Sequence, residues 1–349
     1  MKGIILFVTL FFISITTVIA QYPNGSIITD NLYSKSLENN AGENPTRSIH
    51  IYLPSGYNKA TTNYPVIYYL HGFSGSDKKQ IEVLKFDKLL DKAIATGKIK
   101  PVIVVIPNHH TLYRCSFHTN SSLTGNWNHF TAKDLVNYID ENYRTIKKKE
   151  SRGITGFSMG GYGAVKLGMM FPDIFANVYS FSGCLSLYKE LGANSNAYKN
   201  LQSINSREKL VNSFDFFLEN AIIAMGRAFS PNQNKPPFYA DLPFHYKSDS
   251  LIINSKTISL WNKHFLHNMA DEYVDNLKKL KAIKLDWGRN DQFGFVLMGC
   301  RALSQKLEDL GINHYAEEYI GAHGNKLWTD DGRALNDMLP FFDTFLEFE

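Results

Sequence analysis

The 349-residue chain is poor in cysteine and in clustered charge, and both shortages narrow its function. Its three cysteines, Cys115, Cys184 and Cys300, form no Cys-x-x-Cys pair and no Cys/His spacing typical of a metal site. We therefore expect no metal. Cys184 and Cys300 lie in apolar sequence contexts and are expected to be buried, and the odd count leaves at least one of the three thiols unpaired. The net charge is only +4 and the one basic run is at residues 147–149, which argues against a nucleic-acid partner.

Long apolar runs are absent after residue 20, so no transmembrane helix is predicted there. Before that point, residues 4–18 form a long apolar run that follows Lys2. The residues at its end, 18–20, have small or medium-sized side chains. This pattern predicts a secretory signal peptide over residues 1–20, cleaved after Ala20. A retained anchor is the less favoured alternative, because the run is short for a spanning helix. We therefore expect a secreted or periplasmic protein without stable membrane insertion.

The remaining chain, residues 21–349, alternates between strand and helix patterns. Continuous apolar runs at 65–70 and 101–107 fit strands buried on both faces of a parallel sheet. Further strands are predicted at 46–54, 154–155, 178–181, 282–287 and 314–320. Helices are predicted at 162–171, 301–310 and 334–348, and from 131, where Thr-Ala-Lys-Asp resembles a capping box. Such alternation predicts an α/β fold with a mostly parallel central sheet.

One stretch, from about residue 187 to 276, interrupts this alternation. It has no convincing buried strand, and its patterns at 207–225 and 259–280 predict amphipathic helices around a polar loop. We interpret it as a largely helical, cap-like insertion. Its aromatic side chains either fill the core of the cap, which is the commoner role, or stack on a ligand. They are Phe214, Phe216, Phe217, Tyr239, Phe244, Trp261 and Phe265.

The strongest chemical signal is Gly156-Phe157-Ser158-Met159-Gly160, a Gly-x-Ser-x-Gly motif between a short strand and a helix. In a nucleophile elbow the serine occupies a sharp, strained turn that projects its hydroxyl above the sheet. Strand and helix pass so close that side chains on the flanking residues would clash, and glycine removes them. The sequence therefore predicts Ser158 as a catalytic nucleophile.

A serine hydroxyl needs a base and an acid that orients the base, and in this fold class the chain order is Ser, acid, His. His323 lies in a loop just beyond the last predicted strand, whereas the other downstream histidines fall in the insertion or begin a strand. Asp291 follows the preceding strand, and Asp286 is the second choice because it falls inside that strand. The predicted triad is therefore Ser158, Asp291 and His323.

A tetrahedral intermediate also needs two hydrogen-bond donors for its oxyanion. One predicted donor is the backbone N–H of Met159, the residue after the nucleophile. The other is expected in the loop after strand 65–70, with the N–H of Phe73 as first choice and that of Ser74 as second. His71 in that loop is interpreted as a bracing residue rather than a proton carrier.

Together these motifs resemble a family of α/β-hydrolases that includes S-formylglutathione hydrolases (esterase D), feruloyl and acetylxylan esterases, and mycolyltransferases. The resemblance covers most of the chain after residue 20 and rests on four segments: IYLPSGY at 51–57, YPVIYYLHG at 64–72, GFSMGGYGA at 156–164 with FPD at 171–173, and GAH at 321–323 followed by Trp328. It implies an α/β-hydrolase fold, the triad above, and carboxylic-ester hydrolysis without a cofactor. The long insertion departs from compact members, so pocket shape does not carry over.

The favoured function is therefore a secreted serine esterase that acts through an acyl-enzyme on acyl or feruloyl esters of carbohydrates. Trp127 and Trp328 are candidate substrate-binding residues, since aromatic rings stack on sugars and phenols. Acyl transfer to a sugar or lipid acceptor is the main alternative, because the same triad serves both reactions. A serine peptidase and a non-catalytic binding protein that kept the fold are less favoured.

Overall fold

The computed structural model describes residues 23–349, so the predicted signal peptide lies outside the described range. The strands of the main sheet are β1 (Ser26–Tyr33), β2 (Thr46–Leu53), β3 (Val66–Leu70), β4 (Ile103–Pro107), β7 (Arg152–Phe157), β8 (Asn177–Phe181), β11 (Ala282–Gly288) and β12 (Tyr315–Tyr319). Two small ladders lie outside it, formed by β5 (Asn120–Ser121) with β6 (Gly125–Asn126) and by β9 (Phe244–Lys247) with β10 (Ser250–Ile253).

The main sheet has eight strands in the order β1-β2-β4-β3-β7-β8-β11-β12. The six strands from β4 to β12 in this order pair in parallel, whereas β2 is antiparallel to both β1 and β4. The predicted mostly parallel α/β sheet is thus confirmed. Strand β1 was not predicted, because polar Thr29, Asp30 and Asn31 break its apolar pattern at an edge where most side chains remain exposed.

The helices are α1 (Asp77–Glu82), α2 (Phe86–Ala95), α3 (Trp127–His129), α4 (Val136–Asn142), α5 (Met159–Met170), α6 (Asn196–Asn200), α7 (Arg207–Val211), α8 (Phe217–Phe229), α9 (Ser255–Asn262), α10 (Leu266–Glu272), α11 (Val274–Leu277), α12 (Gly294–Asp309) and α13 (Leu339–Phe345). A π-helical segment, Phe130–Leu135, joins α3 to α4, and another, Ala334–Met338, leads into α13.

The helix predicted to begin at residue 131 begins four residues earlier, which corrects the capping-box interpretation. Thr131 lies inside the helical segment, where its Oγ1 donates a hydrogen bond to the carbonyl oxygen of Trp127 at 3.0 Å. A threonine hydroxyl can cap a helix or, inside one, donate to the carbonyl four residues back, so the local pattern alone did not distinguish the two positions.

Helices cover both faces of the sheet, because alternate residues of the buried strands supply two separate apolar cores. One core joins Val66, Tyr68 and Leu70 of β3 to α4, α5 and α12. The other joins Ile67 and Tyr69 of the same strand to α2 and α13. This three-layer arrangement fixes the carboxyl ends of β3, β7, β11 and β12 along one edge of the sheet.

The connection between β8 and β11 is the predicted insertion, and it is largely helical as expected. It contains α6 to α11 and one short hairpin, β9–β10, that pairs with no strand of the main sheet. Phe244, Trp261 and Phe265 are buried in the same core as α5, as the commoner interpretation of these aromatics predicts. Over residues 23–349, none of the helices combines the length and the apolar character needed to span a bilayer.

Candidate active site

Ser158 occupies the turn between β7 and α5, in a backbone conformation that few residues adopt. Its φ of 57° and ψ of −121° lie outside the regions usual for a side chain with a Cβ. Two backbone hydrogen bonds hold this conformation, from Ser158 N–H to Phe181 O at 2.8 Å and from Tyr162 N–H to Ser158 O at 2.9 Å. The strand–turn–helix geometry expected of a nucleophile elbow is therefore present at this residue.

The two glycines of the motif allow the helix to approach β3 and β7 closely. A Cβ on Gly156 would lie 2.5 Å from the carbonyl oxygen of Leu70, and a Cβ on Gly160 would lie 1.9 Å from the same oxygen. Neither distance is possible between non-bonded atoms. The glycines are thus required by packing between backbone segments.

The structure brings Ser158, His323 and Asp291 together in one hydrogen-bonded chain. His323 Nε2 lies 2.8 Å from Ser158 Oγ, and His323 Nδ1 lies 2.7 Å from Asp291 Oδ2. An ionised carboxylate only accepts hydrogen bonds, so the imidazole proton is on Nδ1. Nε2 is then the acceptor for the serine hydroxyl proton, as a general base must be.

The surroundings of this chain restrict its motion. The ring of His323 lies between Phe157 and Phe293, each with a ring-centroid distance of 4.9 Å. The second oxygen of Asp291, Oδ1, accepts the backbone N–H of Phe293 at 2.8 Å. The side chains of both Asp291 and His323 are buried. Imidazole and carboxylate are therefore held in one arrangement by packing and by hydrogen bonds.

Asp286, the second choice for the acid, has a different set of partners. It lies inside β11 and accepts hydrogen bonds from the guanidinium of Arg333, at 2.8 Å from Nε, and from the hydroxyl of Tyr179. Burial raises the pKa of its carboxyl group, and Lys284 and Arg333 oppose that shift. The structure thus places Asp286 in a structural ion-pair network, and places Asp291 against the histidine.

The loop after β3 lies directly beside Ser158. A Cβ on Gly72 would be 3.5 Å from the Cβ of Ser158, so the backbone that leads to Phe73 reaches this serine. Met159 is the first residue of α5, and N–H groups of the first helical turn have no partner within the helix. Both backbone segments predicted to supply oxyanion donors therefore flank Ser158; their role as donors stays a prediction.

His71 braces this loop through both of its ring nitrogens. Its Nε2 accepts the backbone N–H of His109 at 2.9 Å, so Nδ1 carries the proton and donates to Gly72 O at 2.9 Å. Burial lowers the pKa of His71 to about 4, which keeps the ring neutral near pH 7. This geometry agrees with the bracing role expected from the sequence.

A cavity of about 180 Å³ opens at Ser158 and is lined mainly by apolar side chains. Phe73 and Phe117 come from the loops after β3 and β4, while Phe217 and Met225 come from helix α8 of the insertion. The insertion therefore forms one wall of the cavity. All three cysteines are buried free thiols, and Cys184 lies in the cavity wall.

Neither tryptophan predicted to bind substrate lines this cavity, and the structure corrects both interpretations. Trp127 is fully buried against Leu37 and Phe130, and its Nε1 donates to Thr124 O at 3.0 Å. Trp328 packs edge-on against Tyr69 and Phe86, in the core on the other face of the sheet. Tryptophan's large apolar area favours core packing, and its sequence position alone did not reveal this.

Sequence reasoning missed several residues of the cavity wall. Phe293 stands two positions after Asp291 and packs on His323. Its nearness in sequence to the predicted acid could have identified it as a residue of the site. Phe117 and Leu185 offered no such signal, because they reach the cavity from segments without a catalytic motif.

Comparison with known proteins agrees with the fold. Residues 42–342 match the model of the family described as "Putative esterase". The chain belongs to this esterase family. Among curated relatives, an esterase of Mycobacterium tuberculosis (strain H37Rv) is 34% identical over 155 residues, which are 43% of this chain and 32% of that protein. An endo-1,4-beta-xylanase/feruloyl esterase of Xylanibacter ruminicola is 30% identical over 157 residues, 42% of this chain and 20% of that protein.

The chain therefore aligns with about a third or less of the length of these curated esterase relatives. Two solved structures resemble it over almost its whole length. A ferulic acid esterase has a TM-score of 0.60 at 21% identity and covers 93% of this chain and 100% of its own. An S-formylglutathione hydrolase from Agrobacterium tumefaciens has a TM-score of 0.60 at 13% identity and covers 94% and 98%. Because both identities are below 25%, these likenesses establish the α/β-hydrolase fold alone.

Proposed function

We propose that this member of the esterase family is a secreted serine carboxylic-ester hydrolase that acts through an acyl-enzyme. The hydrogen-bonded chain of Ser158, His323 and Asp291 is the observation that carries the proposal. It supplies a nucleophile, a base with its acceptor nitrogen on the serine, and a carboxylate that fixes the tautomer. Metal or cofactor chemistry is not needed for these steps.

In the first half-reaction Ser158 Oγ attacks the ester carbonyl while its proton moves to His323 Nε2. The carbonyl π pair moves to oxygen, and the N–H groups of Phe73 and Met159 stabilise that oxyanion. The intermediate then collapses, the C–O bond to the alcohol breaks, and the imidazolium returns the proton to the leaving alkoxide. The products are the free alcohol and an ester of Ser158.

In the second half-reaction water takes the place of the alcohol. His323 removes a proton from water, the resulting hydroxyl attacks the acyl-enzyme, and the proton passes to Ser158 Oγ as the carboxylic acid leaves. Asp291 stabilises the imidazolium that forms transiently in each half. An alcohol acceptor in place of water would give acyl transfer, so a sugar or lipid acceptor is the alternative to be tested.

For the substrate class we propose acyl or feruloyl esters of carbohydrates. An extracellular location, inferred from residues 1–20, makes polysaccharide esters accessible, and feruloyl esterases recur among the relatives and similar structures. Amino-terminal sequencing of the exported protein tests the location, with Gln21 expected as the first residue.

A panel of p-nitrophenyl and feruloyl esters tests the activity, with Ser158→Ala measured beside the wild type. We expect the wild type to cleave members of the panel and the variant to lose that activity. Failure of the wild type on every ester would refute the esterase function. Retained activity in the variant would refute the nucleophile assignment. Adding a sugar alcohol and analysing products separates hydrolysis from acyl transfer.

A further inference from the structure

The side chains that line the cavity at Ser158 offer few hydrogen-bonding groups to a phenolic acyl group. Of the sixteen described residues that line it, three have hydroxyl or imidazole side chains: Ser158, Ser182 and His323. Two of these belong to the triad. The third, Ser182 Oγ, already donates to the carbonyl oxygen of His323 at 3.2 Å.

Apart from these three residues and the methionines, Cys184 is the one described wall residue whose side chain carries a polar atom. Its thiol is a poor hydrogen-bond partner for a substrate. It is buried and faces the thiol of Cys300, and burial raises its pKa. A neutral thiol is only a weak donor and a weak acceptor. A hydroxyl group carried into the cavity would therefore lose its water and find, among the wall side chains outside the triad, only the acceptor oxygen of Ser182 as a strong partner.

Aromatic rings form much of the wall. Phe217 of the insertion packs edge-on against Phe73 at 5.3 Å and stacks on Phe293 at 5.9 Å. Phe293 in turn contacts Phe295 at 5.5 Å, and Phe73 contacts Phe117 at 6.1 Å. These five rings come from four segments of the chain and line the apolar space beside Ser158.

We propose that this cavity binds the acyl half of the ester and selects acyl groups that carry no hydrogen-bonding group beyond the carbonyl. The proposal rests on the proposed esterase function and narrows it, because ferulate carries a phenolic hydroxyl. Burying an unpaired hydroxyl is unfavourable, and an apolar pocket discriminates against an added hydroxyl by up to about 100-fold. Unsubstituted aromatic or aliphatic acyl groups are the class that this wall fits.

Two pairs of near-isosteric p-nitrophenyl esters test the selection on the wild-type protein. The first pair is 4-methylcinnamate and 4-hydroxycinnamate, which differ by a methyl group in place of a hydroxyl. The second is pentanoate and 3-methoxypropanoate, which differ by a methylene in place of an ether oxygen. This pair tests the same selection on acyl groups shorter than cinnamoyl. We expect kcat/KM to favour the methyl member of the first pair at least about tenfold, and the pentanoate in the second.

Equal or faster turnover of the polar members would overturn this inference while leaving the esterase function intact. No cleavage of any ester, p-nitrophenyl acetate included, would refute the esterase function itself, and the inference with it. Ser158→Ala run in parallel shows that the measured turnover arises at this site.

The position of the acyl group is tested by the variant Ala221→Leu, which adds volume to the wall on helix α8. We expect its ratio of cinnamate to acetate turnover to fall about tenfold or more, and the ratio for Ala221→Gly not to fall. The ratio of two substrates in one preparation does not depend on the folded fraction. An unchanged ratio in Ala221→Leu would place the acyl group elsewhere and overturn the inference.

Discussion

Replacing Asp291 with asparagine tests what the carboxylate beside His323 contributes, while the shape of the site is kept. In the wild type Oδ2 accepts the Nδ1 proton of His323 at 2.7 Å, while Oδ1 accepts the Phe293 N–H at 2.8 Å. An asparagine keeps one acceptor for Phe293 and presents its NH₂ group to the histidine. Nδ1 must then accept, the ring proton moves to Nε2, and the nitrogen that faces Ser158 no longer accepts the hydroxyl proton.

A triad with the wrong histidine tautomer loses about 10⁴ in kcat, which is about 5 kcal/mol of transition-state stabilisation. We therefore expect Asp291→Asn to reduce kcat for a p-nitrophenyl ester by about that factor. KM and the free energy of unfolding should change little, since shape and the Phe293 hydrogen bond persist. Steady-state kinetics and urea unfolding of the same preparation measure both quantities.

Asp286→Asn is the matched control, because it makes the same change in the other candidate acid. Asp286 lies inside β11 and pairs with Arg333 and Tyr179, whereas the carboxylate bonded to His323 is that of Asp291. Removing one partner of a buried ion pair costs about 3 kcal/mol of folding stability, so this variant should be less stable while its folded fraction retains most of kcat. Activity lost in Asp286→Asn and kept in Asp291→Asn would refute the assignment of the acid.

Three further predictions test other parts of the site and the core. His71→Ala should lower kcat about 100-fold with KM nearly unchanged, because the loop to Phe73 loses its brace; a change confined to KM would contradict this. Gly160→Ala should unfold at clearly lower urea concentration, because the new Cβ would meet Leu70 O at 1.9 Å; an unchanged midpoint would contradict it. Burial lowers the pKa of Lys166 to about 7 from its ordinary 10.5, so the unfolded chain binds more protons between these values and wild-type stability gains with rising pH. Lys166→Met should lack this gain, so the unfolding free energy of the variant minus that of the wild type should decrease from pH 7 to pH 10; a constant difference would contradict it.

The hydrogen-bonded chain of Ser158, His323 and Asp291 could be predicted because each of its members is tied to a local pattern. Ser158 has the glycine motif, and Asp291 and His323 each follow a recognisable strand. In a parallel sheet the ends of such strands meet at one edge, so sequence order and strand pattern together fix the neighbourhood. The mostly parallel sheet was predictable as well, since its strands β3 and β4 are continuous apolar runs and strand patterns alternate with helix patterns along the chain.

The cavity wall and the edge of the sheet were not predictable from local pattern. Phe117, Phe217 and Leu185 meet only after distant segments have packed, and neither periodicity nor spacing encodes that meeting. Strand β1 depends on its antiparallel partner β2 rather than on its own apolar content. Trp127 was misassigned for a related reason, because an aromatic residue that could stack on a ligand is equally suited to a core.

The central claim is that Ser158 is the activated nucleophile of an ester hydrolase, and covalent labelling tests it most directly. A fluorophosphonate reacts with a serine that an adjacent base has activated, and it forms a stable phosphonyl ester on Oγ. We predict one adduct per chain on the peptide that contains Ser158, loss of esterase activity in proportion to labelling, and no adduct in Ser158→Ala. An adduct on a different residue, or ester hydrolysis that persists after Ser158 is fully labelled, would contradict the account.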